Sequence, residues 1–126
     1  PLKVDVRSLT SSEKDYEILI NPDDMRALYL KSSLAIGAPG QSHLERMVFG
    51  LPTILVSQNK LHRPIISEWE RLGCGIQSDN TVSSLYKNIY FLLSNRAILK
   101  KMKISSKMIV DGLGASRVAS TMSKMI

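Results

Sequence analysis

Two short apolar runs constrain this chain more than anything else in it. Leu34-Ala35-Ile36 and Thr53-Ile54-Leu55-Val56 are apolar or β-branched at every position, and Pro52 leads into the second. Neither run has a polar side to turn toward water. Strands of that kind are covered on both faces, which is the situation inside a parallel sheet. Each run is followed by a turn and then by residues at helical spacing. After the first come Leu44, Met47 and Val48, with Gly50 where a helix would stop. After the second, residues 65–72 read as a helix ended by Gly73. Gly75-Ile76-Gln77 is then a third, brief strand.

The same alternation extends to both sides. Asp79-Asn80-Thr81 caps a long helix through Leu93, with Val82, Leu85, Ile89, Leu92 and Leu93 as its buried stripe. A further helix spans 96–110, Asp111-Gly112-Leu113-Gly114 breaks the chain, and a last helix covers 115–124. Upstream, Leu2–Val6 alternates as a half-buried strand, and 16–20 is a second strand candidate. Asn21-Pro22-Asp23-Asp24 reads as a helix start, with Asn21 at the cap and Pro22 in the first helical position. Met25, Leu28 and Tyr29 form the buried side of that helix. Strands alternating with helices at this spacing predict an α/β domain: a Rossmann-like parallel sheet with helices on both faces. Its ligands are expected at the carboxyl ends of the strands.

Composition narrows the class. At 126 residues and 44% hydrophobic, the chain is one folded domain, spanning 1–126, and not a disordered or low-complexity segment. No apolar run approaches the roughly 20 residues of a membrane span. A single cysteine, Cys74, forms no internal disulfide, and no secretory signal is visible. A cytoplasmic location is the expectation. The chain begins with Pro1 and reads as a domain cut from a larger protein. Its net charge of +6 is uneven. Lys87, Arg96, Lys100, Lys101, Lys103, Lys107, Arg117 and Lys124 face only Asp79 and Asp111 in the last third, whereas charges cancel before it. Such a field attracts phosphates, nucleic acid or an anionic membrane face, or it is simply a solvated helix face.

The local feature with most chemical content is Leu34 to Glu45. A strand runs into a glycine-bearing turn and straight into a helix. The first turn of a helix leaves backbone N–H groups unpaired and carries partial positive charge, so it receives anions. Gly37, Ala38 and Gly40 let a ligand approach the backbone. Gln41 opens the helix, Ser42 adds a hydroxyl donor, and Glu45 lies one turn on, where a carboxylate accepts bonds from two adjacent ribose hydroxyls. A nucleotide diphosphate would span this helix start.

The surroundings of that motif carry a family resemblance. Asp24-Met25-Arg26-Ala27-Leu28 followed by Leu34–Ala38, Glu45-Arg46 followed by Phe49-Gly50-Leu51-Pro52, and the tail Asp111–Val118 resemble the UDP-sugar hydrolases of pseudaminic-acid biosynthesis. The lipid-II-forming N-acetylglucosaminyltransferases are more distant relatives. The resemblance implies the C-terminal half of a glycosyltransferase-B architecture, in bacterial nonulosonic-acid or surface-polysaccharide biosynthesis. It implies the diphosphate at the glycine turn and Ser42, and the ribose at Glu45. It extends the substrate site to Asn59 and Lys60, with Lys60 where relatives carry Gln. Pro39 stands where relatives carry Gly or Ala, and it removes one N–H. The catalytic groups belong to the other half, so no catalytic residue is assigned here. No cofactor and no metal are expected either.

Other residues have plainer readings. His43 and His62 lack metal-ligand spacing, and each is expected at the surface or as a cap. Cys74 between two glycines reads as a small buried thiol, Trp69 as a packing residue and the six methionines as fillers. Three functions compete: the UDP-sugar-binding half of a hydrolase or glycosyltransferase, a binding module that works with a separately encoded partner half, and a basic adaptor for an anionic partner. The basic stretch lacks interleaved aromatics for base stacking, so nucleic acid is not an expected partner.

Overall fold

The computed structural model describes residues 16–126, and the strand expected at Leu2–Val6 lies outside them. Among the described residues three parallel strands, β1 (Ala35–Gly37), β2 (Thr53–Val56) and β3 (Ile76–Ser78), form one sheet in the order β1-β2-β3. Helix α1 (Met25–Lys31) precedes β1. Helices α2 (Gln41–Val48) and α3 (His62–Arg71) are the two crossovers. Helices α4 (Val82–Leu93), α5 (Arg96–Ile109) and α6 (Gly114–Met125) follow β3. The expected α/β class, a small parallel sheet flanked by helices, is what forms.

The middle strand carries the core. Thr53, Ile54 and Leu55 are fully buried, and Ile36, Ile54 and Ile76 stand in register across the sheet. Ile54 packs with Leu92 of α4 and Met102 of α5, and Leu85, Ile89, Ile98 and Leu99 surround them. Leu55, on the opposite face by strand alternation, lies against Gly75: a Cβ there would sit 2.7 Å from Leu55 Cδ1 and 3.3 Å from the Thr53 carbonyl. Gly75 is glycine because β2 and the start of β3 are this close.

Gly50 closes α2 in the left-handed region at φ 63°, and its N–H donates to the Met47 carbonyl at 2.9 Å. The stem of Lys103 lies across it, with Cγ 2.6 Å from where a Cβ would be. This contact seats α5 against the carboxyl end of α2.

Several expectations need correction. Residues 16–20 form no strand; no neighbouring strand lies beside them among the described residues, and Leu19 and Ile20 are exposed. The cap of α1 is Asp24, not Asn21. Its Oδ1 accepts from Ala27 N–H at 3.0 Å, so Pro22 lies ahead of the helix and Asn21 turns the chain at φ 48°. Helix α3 begins at His62, three residues early, because Asn59 Oδ1 accepts from the N–H groups of Leu61 (2.9 Å) and His62 (3.2 Å). Val82 is not in the buried stripe of α4: it follows the Thr81 cap and is 86% exposed. Ile36 is 47% exposed, so β1 is not covered on both faces. Among the described residues it is the outer strand, and α4 packs across β2 and β3 instead.

Gly75→Ala is expected to lower stability by about 1–3 kcal/mol through overpacking against a fully buried neighbour. Urea denaturation measures it, and an unchanged midpoint would show that β2 and β3 have room to separate.

Candidate functional site

The turn from β1 to α2 is held from beneath by a residue that the sequence reading left without a role. Arg46, in the last turn of α2, is almost fully buried, and its Nη2 donates to the Ala38 carbonyl at 2.8 Å. A Cβ on Gly37 would lie 3.0 Å from Arg46 Nη1. The bare face of Gly37 is therefore filled by guanidinium, not kept clear for a ligand. Among the described residues Arg46 has no ion-pair partner, and its Nε makes no hydrogen bond. Burial pushes its pKa down, while Tyr29 and Glu45 nearby favour the charged form. A cation thus sits under the turn with its charge unmatched by a bonded carboxylate.

Above Arg46 the turn is open. Pro39 is buried and orients the chain, and Gly40 then caps α2 at φ −82°, ψ −153°, with nothing within 4 Å of a Cβ placed there. Neither backbone strain nor packing requires glycine at this position. No side chain caps α2, so its first N–H groups face outward, where Gln41 and Ser42 are exposed. One turn further, Glu45 is exposed, and its Oε2 accepts from the Tyr29 hydroxyl at 3.2 Å. Burial raises the Tyr29 pKa, and the Glu45 bond raises it further. Phe49 steadies the tyrosine ring at 5.6 Å.

A groove of about 370 Å³ runs beside α2, with Gln41, Glu45 and Val48 on one wall and Asp111, Gly112 and Arg117 on the other. The second wall is a small self-braced unit. Asp111 Oδ2 takes Arg117 Nη1 at 2.7 Å, and Oδ1 accepts from Leu113 N–H at 2.9 Å. These bonds, the arginine's first, hold the Asp111 carboxyl down at about 2. Gly112 turns at φ 78°, and a Cβ on it would meet Val48 Cγ1 at 3.4 Å. Helix α6 starts here with no side-chain cap. Two uncapped helix starts therefore border one groove. The sequence singled out Asp111–Val118 only as a motif; nothing in one dimension places it opposite Gln41 and Glu45.

Asn59 and Lys60 sit on the neighbouring loop, after β2. Asn59 Oδ1 braces the turn ahead of α3 by accepting from the Leu61 and His62 N–H groups, and its carbonyl accepts from Ser57 Oγ at 2.6 Å. His62 Nδ1 accepts from Gln58 N–H at 3.3 Å, so this histidine ties down the loop. Lys60 is exposed and unpaired. Among the described residues no hydrogen bond or ion pair joins Asn59 or Lys60 to the α2 start. They share with it only the carboxyl edge of the sheet.

His43 corrects an expectation. It is fully buried, not at the surface, and its ring meets Trp69 edge-on at 5.6 Å. Neither ring nitrogen makes a well-formed hydrogen bond, with the Cys74 backbone beside the ring, and Trp69 Nε1 and Ser106 Oγ, which lies beside the Cys74 thiol, also lack a well-formed one. Trp69 does pack, as expected, and Cys74 is a buried thiol whose pKa burial raises. No cluster of His, Cys, Asp or Glu among the described residues is arranged to hold a metal. No helix among them is long and apolar enough to cross a membrane.

No protein-family model matches the sequence, and no curated protein matches it.

Burial, then the Arg46 charge, lowers the His43 pKa from 6.5 to about 4, and the Cys74 backbone opposes them. Between those values the unfolded chain holds a proton that the folded chain does not. Stability should therefore fall as pH drops from 6.5 toward 4, by on the order of 3 kcal/mol. Urea midpoints at pH 7.5 and 4.5 test this. His43→Phe should remove most of the difference, and an equal acid loss in that variant would assign it to other groups. Asp111 also loses its contribution in acid, but below the histidine's window.

Proposed function

We propose that this domain binds the UDP portion of a nucleotide sugar, as the C-terminal half of a glycosyltransferase-B-type enzyme of the UDP-sugar hydrolase kind. One observation supports this most: the start of α2 is open, with no side-chain cap and nothing within 4 Å of a Cβ placed on Gly40. Glycine is a favoured helix cap in its own right, and here it also leaves clearance for a ligand at the helix start. In this reading the N–H groups at Gly40, Gln41 and Ser42 take the diphosphate, aided by the partial positive charge of the helix start. The buried Arg46 guanidinium adds to that field.

Glu45 receives the ribose diol. Tyr29 holds one of its oxygens, which fixes the carboxylate and leaves the other free. The groove toward Asp111 and Arg117 gives the nucleoside a second wall. Lys60, on the adjacent loop, supplies a cation for the distal phosphate or the sugar. Bond cleavage belongs to the other half of the enzyme. Cys74 is a buried, poorly ionised thiol and His43 a buried imidazole, so neither serves as nucleophile or base at this groove. The purified 126-residue chain is expected to bind UDP weakly and to turn over no UDP-sugar.

Amide shift mapping with UDP should perturb residues 37–45 and 111–117 more than α5. Glu45→Gln should weaken UDP about tenfold or more, because bonds to a charged acceptor contribute roughly 1.5–3 kcal/mol each. A 2′,3′-dideoxy nucleotide should be insensitive to that change. Gly40→Ala should also weaken UDP, at a stability cost below about 1 kcal/mol for exchanging a helix cap. Shifts confined to the α5 lysines, or equal weakening of both nucleotides by Glu45→Gln, would remove this site.

A further inference from the structure

The excess positive charge has a definite location. Five of the basic residues in the last third lie on α5, which carries no acidic residue. Lys100, Lys103 and Lys107 line one cleft of about 380 Å³, together with Leu30, Ser33 and residues 50–52. Among the described residues none of the three lysines forms an ion pair or side-chain hydrogen bond, and no carboxylate lines the cleft. The stems of Lys103 and Lys107 are seated against Gly50, at 2.6 and 3.0 Å from the Cβ position. Their ammonium groups are thus carried on stems fixed at the end of α2. The cleft borders the start of β2, the opposite end of the strands from Gly40.

Apolar side chains accompany the charge. The core takes Met102 and Ser106 of α5 fully and Ile98 and Leu99 in part. It leaves Ile104 51% and Met108 80% exposed. By helical spacing these two share the outward side with Lys100. Across the cleft Leu30 is 64% exposed. Lysines without acidic partners, flanking exposed aliphatic side chains on one amphipathic element, match an interface of anionic headgroups over acyl chains. Nucleic acid fits less well, since α5 offers no aromatic side chain for base stacking.

We propose that the α1–α5 face docks on an anionic lipid bilayer, with lipid phosphates between Lys100, Lys103 and Lys107, and with Leu30, Ile104 and Met108 entering the headgroup boundary. The contact is peripheral and independent of the nucleotide site.

Vesicle co-sedimentation of the full chain tests it, with phosphatidylcholine alone and with added phosphatidylglycerol. Binding is expected only with phosphatidylglycerol, and it should weaken as salt rises. Replacing all three lysines by Gln should reduce binding about a hundredfold, at roughly fivefold per lysine. Ile104→Ser with Met108→Ser should reduce it several-fold and leave the melting temperature unchanged. Absence of binding to phosphatidylglycerol vesicles at low salt overturns the proposal. So does binding that the Ile104 and Met108 changes leave intact, with heparin bound equally tightly, because the face would then serve a soluble polyanion.

Discussion

One buried guanidinium joins the parts of this domain that matter for binding. The Arg46 side chain holds the exit of β1 through the Ala38 carbonyl, and its backbone carbonyl accepts from Leu51 N–H at 3.0 Å on the approach to β2. A single residue near the end of α2 thus fixes both neighbouring strands. Burying a cation without a bonded carboxylate is costly. Here the Ala38 bond and the nearby Glu45 carboxylate offset part of that cost. The consequence is a turn braced from below, with its upper side free. Gly37 is bare because Arg46 lies beneath it, and Gly40 is bare where the protein places nothing.

The seam between α2, α3 and α5 shows the same tension between burial and polarity. His43, Trp69 and Ser106 together bury four polar atoms without a well-formed hydrogen bond. Most buried polar groups are paired, so this concentration in a small domain marks a weakly satisfied region. Its main compensation is shape: the T-shaped histidine–tryptophan contact and the fully buried Met47 and Ile66 fill the space. That seam lies under the proposed diphosphate site, so acid that protonates His43 acts on the support of the site rather than on its ligand contacts.

Charge divides the surface into two kinds of anion-attracting ground. At the α2 start the attraction comes from backbone N–H groups and a buried arginine, which suits a small ligand in a groove. On α5 it comes from unpaired lysines beside exposed aliphatics, which suits an extended surface. The basic residue nearest the first site, Arg117, is largely neutralised by Asp111. The overall charge of +6 therefore says little about the groove and much about the far face.

The sequence by itself determined the class of the fold and most element types, though residues 16–20, which read as a strand, form none. The apolar and β-branched run Thr53–Val56 reads as an inner strand, because no alternation leaves it a wet face, and it is one. Gly50 and Gly73 ended their helices in left-handed turns, as their positions implied. The strand, glycine turn and helix from Leu34 to Glu45 were also legible, because that signature is local. What only the tertiary structure decided involves distance along the chain. Ile36 reads like Ile54, yet it is half exposed, and its strand is the outer one among the described residues. His43 reads as a helix-surface residue, yet α3 covers it with Trp69. The sequence could not tell the bare face of Gly37 from that of Gly40, because the difference is a guanidinium folded back across nine residues. Nor could it set Asp111–Arg117 against Glu45, since α5 and its seat on Gly50 bring that tail around. Local rules choose helix, strand and turn; burial and electrostatics depend on neighbours that only packing supplies.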